Sequence, residues 1–150
     1  MSEAAETTSD ARSDAQQQAR RIHRADRAAE QLGIELTDAG PGTASGRMLV
    51  RSDMLNGAGT CHGGVVFTLA DVAFQCACNS HGRLTVSAAS SIQFVRPALE
   101  GDELTAVCVE RYRNRSGGGY DVTVSRTARG GASQEPELVA LFRGQAHELR

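Results

Sequence analysis

The chain has 150 residues, 18 acidic against 16 basic, for a formal net charge of -2. That length suits one domain with a real core, and the charge balance provides no basic surplus for a nucleic-acid partner. With no Trp and only 4% aromatics, the core has to be built from Val, Leu, Ala and Ile.

The opening stretch, "MSEAAETTSDARSDAQQQAR", has no apolar segment of the kind a secretory signal needs. No later apolar run is long enough to span a bilayer. The expectation is a cytoplasmic chain with no membrane contact. Residues 1–18 are polar and poor in large apolar groups, so they read as a disordered tail. Residues 19–150 then form the domain. From Ala19 to Leu32, the residues Ile22, Ala25, Ala29 and Leu32 recur at helical spacing, and Gly33 offers a stop. Gly40 to Gly42 reads as a turn, followed by a short strand from Arg47 to Arg51.

The run from Gly64 to Ser80 is rich in alanine and nearly free of charge. It is apolar almost all round, which marks a buried helix. Its polar residues Thr68, Asp71, Gln75 and Asn79 form one stripe along that helix. Gly82 ends it. Leu84 to Val95, rich in β-branched and small residues, reads as a strand that stops before Pro97. Alternation places Val86, Ala88, Ile92 and Phe94 on one face, with Ser87, Ala89, Ser91 and Gln93 on the other. Glu103 to Arg113 and Tyr120 to Ala128 flank "NRSGGG", a hairpin pattern. A last strand, Leu138 to Gln145, follows the polar loop "RGGASQEPE". One helix wrapped by a largely antiparallel sheet is an α+β arrangement.

The cysteines are Cys61, Cys76, Cys78 and Cys108. Cys76 and Cys78, two apart on a helix, point to nearly opposite sides and cannot pair with each other. No zinc-type spacing is present, so neither a metal nor any other cofactor is expected, and reduced thiols fit a cytosolic chain.

Asp71 is the residue that needs explaining. A carboxylate buried without a partner is costly. A structural ion pair at a contact between copies is one explanation. The neighbouring glycines point to another. Gly63 and Gly64 stand at a helix N-terminus, where backbone N–H groups lack intrahelical partners and the dipole is positive. Glycine lets a substrate approach the backbone closely. Such a place can hold a developing oxyanion. An oxyanion donor plus a carboxylate base is the minimum equipment for hydrolysing an activated acyl group.

The stretch "LNGAGTCHGGVVFTLADVAFQCACNSHG" resembles the hotdog-fold acyl-CoA thioesterases, in particular those of phenylacetic acid degradation. The similarity continues through "SAASSIQFVRPALEGDELTA", "GGYDVTV" and "VALFRGQAH", and so covers about residues 19–148. It implies a curved antiparallel sheet around one long central helix, with a short N-terminal helix in front. It also implies an acyl-CoA substrate and roles by position. Asp71 acts as general base or nucleophile. The Gly63 N–H polarises the thioester carbonyl, with Gly64 beside it. Asn56 orients substrate or water, His62 shapes the loop before the helix, and Ser87 places the attacking water. The initial polar tail and the loop from Gly130 to Glu137 depart from the family pattern.

Each residue also has a plainer reading. Asn56-Gly57 is a common turn pair, His62 is an ordinary structural histidine, and Ser87 is simply small. Cys61 beside His62 invites a nucleophilic thiol, but adjacent side chains rarely aim at one another. The hairpin offers Arg115 and Ser116 for the phosphates of coenzyme A, because arginine forks grip phosphate bidentately. An enoyl-CoA hydratase or dehydratase on the same fold, and a non-catalytic acyl-CoA sensor, are the competing functions.

Gly63 and Asp71 are eight residues apart on one helix, or roughly 12 Å along its axis. Reacting atoms have to approach within about 3–3.5 Å. Two antiparallel copies of the helix, related by a two-fold axis, would bring the N-terminus of one to the middle of the other. The resemblance implies the same: Asn56, His62 and Gly63 from one chain, Asp71 and Ser87 from its partner, in a homodimer or a homotetramer of two such dimers.

Overall fold

The computed structural model describes residues 3–128 and 135–150. Much of the stretch read as a disordered tail is helical, a correction to the sequence-based expectation. Helix α1 runs from Glu3 to Ala25. Ala15 and Ala19, four residues apart, are fully buried, and α1 packs on the long helix α3 (Gly63–Asn79) and on strand β1 (Glu35–Gly40). Arg12 adds an exposed ion pair to Asp38 at 2.9 Å. Alanine contributes little to a hydropathy count. It still allows one helix to lie close against another, so composition alone undervalued this segment. Nor is the helix continuous from Ala19 to Leu32. Asp26 breaks it, accepting from the Ala29 N–H at 3.0 Å as the N-cap of α2 (Arg27–Leu32). Gly33, at φ 66°, closes α2 in the left-handed conformation that favours glycine.

Strand β1 pairs antiparallel with β2 (Thr43–Leu49) across Pro41 and Gly42. The sequence pattern predicts only a strand at Arg47 to Arg51 here; "ELTDAG" lacks clean alternation, and the β2 strand begins and ends earlier, at Thr43 and Leu49. A 3-10 turn, Ser52–Met54, leads into the loop before α3. Four strands follow: β3 (Thr85–Phe94), β4 (Glu103–Asn114), β5 (Gly117–Thr127) and β6 (Glu137–Glu148). They complete a six-stranded sheet in the order β1-β2-β4-β5-β6-β3, antiparallel at every pairing. With α3 held against one face, this is the hotdog arrangement.

The core lies between α3 and that face. Leu69 and Phe74 of α3 share one buried cluster with Met48, Leu104, Val122 and Val124 of the sheet, all essentially without solvent exposure. Phe74 lies over Gly144 of β6, where a Cβ would come within 2.8 Å of its ring. Glycine at that strand position lets the helix approach the sheet closely.

Two details differ from the pattern read along the strands. Gly117, Gly118 and Gly119 belong to β5, paired with Asn114, Arg113 and Tyr112, so the hairpin turn is only Arg115 and Ser116. In β3 a bulge falls between Ser87 and Ala89, which lie opposite Ala146 and Gln145. The extra residue shifts the alternation expected for the whole strand. β3 is also an edge strand, paired only with β6 and exposed over most of its length. The first six residues of the loop "RGGASQEPE", 129–134, lie outside the described residues.

Candidate active site

The loop before α3 is stiffened by its own polar groups. Asn56 Oδ1 accepts from the N–H groups of Ala58 at 2.9 Å and Thr60 at 3.2 Å, while its Nδ2 donates to Thr60 Oγ1 at 3.1 Å. The Asn56 N–H bonds the Thr60 carbonyl at 2.8 Å. Asn56 is therefore a turn residue, as the plainer reading had it, and it also lines the cavity described below.

His62 is the N-cap of α3. Its Nδ1 accepts from the Gly64 N–H at 3.1 Å, which requires that nitrogen to be unprotonated. Its own N–H bonds the Met54 carbonyl at 2.8 Å. His62 thus caps the helix, and the Gly64 N–H is already engaged. The Gly63 N–H, one residue earlier, has no acceptor among the described residues. At a helix N-terminus such an N–H is a ready donor to an oxygen carrying negative charge.

Gly63 opens on a cavity of about 350 Å³ lined also by Asn56, Val66, Phe94, Arg96 and Val139. Phe94, on the edge strand, lies directly over Gly63: a Cβ there would meet its ring at 2.9 Å. The structure thus brings Asn56 and Gly63 together and adds Phe94, which alternation alone assigned only to a strand face.

Asp71 is half-buried and does not line this cavity. Burial pushes its carboxyl up from the ordinary value, a hydrogen bond from Gln75 Nε2 at 3.4 Å pulls the other way, and the charge of Asp26 raises it further. Gln75 is a neighbour of Asp71 that the i,i+4 spacing of the polar stripe already placed. The other members of that stripe diverge. Thr68 donates back to the Gly64 carbonyl at 2.9 Å. Asn79 is buried and bonds both backbone groups of Thr85.

The remaining candidates stand apart. Ser87 shares a hydrogen bond of 2.9 Å with Ser90 on the exposed edge of β3. Ser116 donates its N–H and its hydroxyl to Asn114 Oδ1, at 3.0 and 3.1 Å. Arg115 is exposed and has no carboxylate partner among the described residues. Cys61 is buried, which pushes its thiol up to about 11, away from the thiolate a nucleophile requires. Among the described residues no three His, Cys, Asp or Glu side chains gather as a metal site.

The model of the thioesterase superfamily matches residues 58–131, from the loop before α3 past the end of β5. The acyl-coenzyme A thioesterase PaaI of Escherichia coli is 40% identical over 89% of this chain and 90% of its own length. A solved structure of the E. coli PaaI protein from the phenylacetic acid degradation operon superposes with a TM-score of 0.85 over 93% of this chain and 96% of that one, at 38% identity. The phenylacetic acid degradation protein PaaI of Thermus thermophilus reaches 0.75 at 35% identity, over 83% of this chain and all of that one. A Streptococcus mutans protein solved with bound acetyl CoA reaches 0.70 at 25% identity, over 77% of this chain and 88% of that one.

Proposed function

The chain belongs to the thioesterase superfamily and is a thioester hydrolase, and on that premise we propose that it cleaves aryl-CoA thioesters at sites shared between two copies. The substrates in this reading are phenylacetyl-CoA and its ring-hydroxylated forms, and the setting is aromatic catabolism in the cytoplasm. The operon of the E. coli relative and the acetyl CoA bound to the S. mutans relative support the substrate class. Phe94, an aromatic ring beside Gly63 in the cavity, supports the aryl preference.

One observation carries the shared site. A free N–H at Gly63 opens on a cavity, while the only carboxylate on α3 stands eight residues further along, roughly 12 Å up the same axis. An antiparallel partner helix joins the two. Gly63 of one chain then polarises the thioester carbonyl, and Asp71 of the partner subunit, kept basic by burial, activates water or attacks directly. Ser87 of the same partner chain orients the water, and Asn56 and His62 hold the donor loop. A thiol of pKa about 8.5 leaves without a strong general acid, so few groups are needed. A hydratase would need a second acid-base group on the acyl carbons, and the His62 Nδ1 is already bound to Gly64.

Mixed dimers test the shared site. Chains carrying Asp71→Asn are refolded with chains carrying Gly63→Ala. Each parent is inactive on phenylacetyl-CoA, and the mixture recovers about a quarter of wild-type activity, because half of random dimers hold one intact site. No recovery in proven mixed dimers, or an active monomer, removes the shared site. A panel of acyl-CoA esters compared by kcat/KM decides the acyl group, and faster turnover of fatty esters than of aryl esters defeats the aryl preference.

A further inference from the structure

Among the described residues Asp102, just before β4, is the most deeply buried carboxylate, 5% exposed. The hydrolysis described above does not use it. Its Oδ2 accepts from the Leu99 N–H at 2.9 Å and from Arg126 Nη1 at 3.3 Å. Arg126, near the end of β5, is itself largely covered. The same Nη1 donates to the Pro97 carbonyl at 2.7 Å, and Nε donates to Glu137 Oε2 of β6 at 2.9 Å. One carboxylate and one guanidinium thus tie down the backbone of Pro97 and Leu99, on either side of Ala98.

That short turn is a wall of the Gly63 cavity, which Pro97 and Ala98 line. The Ala98 carbonyl accepts from the Cys61 N–H at 2.8 Å, two residues before Gly63. The start of the same loop is anchored there too. The Val50 N–H donates to the Asp102 carbonyl and the Gly101 N–H to the Val50 carbonyl, each at 2.9 Å. The segment from Val50 to Cys61, which delivers Gly63, is therefore fastened at both ends to residues 98–102.

Stability alone gives little reason for the ion pair. Desolvation of two charges offsets most of their attraction, and apolar side chains of similar volume often hold a fold as well. Placement gives a better reason. An oxyanion donor works only within about 2.7–3.1 Å of the reacting oxygen, and a misplacement of about 1 Å can cost a hundredfold in rate.

We propose that Asp102 and Arg126 are positioning residues of the Gly63 site. The pair fixes the turn from Pro97 to Leu99, and the Ala98 carbonyl passes that position to Cys61 and so to the Gly63 N–H. The inference rests on the reading of Gly63 as the donor that polarises the thioester carbonyl.

The test uses Asp102→Asn and Arg126→Lys, with Asn79→Ala as the control for stability lost away from the cavity. Lysine keeps the charge of Arg126 but not the fork that reaches Asp102, Pro97 and Glu137 together. Each variant, folded at the assay temperature, should lower kcat on phenylacetyl-CoA about tenfold or more, with KM within about twofold of wild type. Asn79→Ala should change neither. In a Gly63→Ala background the added Asp102→Asn should lower kcat by less than about twofold, because groups that act as one unit are not additive. A double variant, Asp102→Leu with Arg126→Met, replaces the pair by apolar side chains and serves if the single variants do not fold. It should melt near the wild-type temperature and still lose kcat. Full multiplication of the Gly63 and Asp102 losses, a rise in KM alone, or wild-type kcat in the folded variants overturns the proposal. Hydrogen exchange at the Cys61 N–H keeps the two readings apart, and it should quicken about tenfold in the variants. If Gly63→Ala works at the wild-type rate, the donor reading falls. Quickened exchange with lowered kcat in Asp102→Asn then leaves the brace standing, and unchanged exchange overturns it.

Discussion

The two ends of α3 use their polar groups in opposite ways. At the C-terminal end every group serves the fold. Ser80 Oγ donates to the Ala77 carbonyl at 2.6 Å and accepts from the Gly42 N–H at 2.8 Å. Asn79 Nδ2 donates to the carbonyls of Gln75 and Thr85, both at 2.9 Å, and its Oδ1 accepts from the Thr85 N–H. His81 and Tyr120 converge on Glu110 Oε2 at 2.7 and 2.6 Å. At the N-terminal end the capping is just sufficient. His62 holds Gly64, and the Gly63 N–H is left open beside a cavity. Between the two ends Asp71 has one long hydrogen bond and a raised carboxyl. Saturated polar groups hold structure together. Those with spare capacity, kept at a cost, are the groups to which the proposed chemistry is assigned.

The sharpest way to break this comparison is Asp71→Asn. It should lower kcat/KM about a thousandfold or more, as loss of a catalytic base does. The same change should not weaken the fold. A carboxyl raised in the folded state contributes stability only below its unfolded value and loses it as pH rises through the folded value. Ionised Asp71 therefore opposes folding at neutral pH. The variant should melt at or above the wild-type temperature at pH 7, and the gap should close in acid, where both chains are neutral at this position. Wild-type kcat/KM should likewise fall on the acid side at a higher pH than the ordinary aspartate value of about 3.9 implies. A variant that melts lower at pH 7 would make Asp71 a structural residue.

Gly63→Ala comes next. Its Cβ would meet Phe94 at 2.9 Å, whereas a Cβ at Gly64 meets only the His62 ring at 3.4 Å. Kinetics should show a loss of about a hundredfold, the scale of one oxyanion donor displaced, with melting little changed because alanine suits a helix better than glycine. Gly64→Ala should cost distinctly less activity. Equal losses at both glycines would mean that the open N–H at Gly63 has no special role.

The smallest catalytic effect belongs to the other end of the helix. Asn79→Ala leaves both Thr85 backbone groups without their side-chain partner. It should cost about 2 kcal/mol in denaturant unfolding and leave kcat/KM per folded molecule at the wild-type level. Lost activity with full stability would mean that the two ends are not divided as described.

The sequence by itself determined much of this protein. The apolar run of α3, the polar stripe with Asp71 and Gln75, the His-Gly-Gly entry and the β4–β5 hairpin are local patterns. Each depends on periodicity or on a cap within a few residues, and each was legible for that reason. The tertiary structure decided the rest. It turned an alanine-spaced polar segment into a docked helix, because a small side chain shows its value only against the surface it meets. It set Phe94 over Gly63, about thirty residues away in the chain, and separated Asn79 from Asp71, although the two share a stripe. It also left three arginines of α1 without the carboxylates that ten of the other described arginines find. Spacing along the chain specifies a face, but what that face meets depends on distant residues brought together by the sheet.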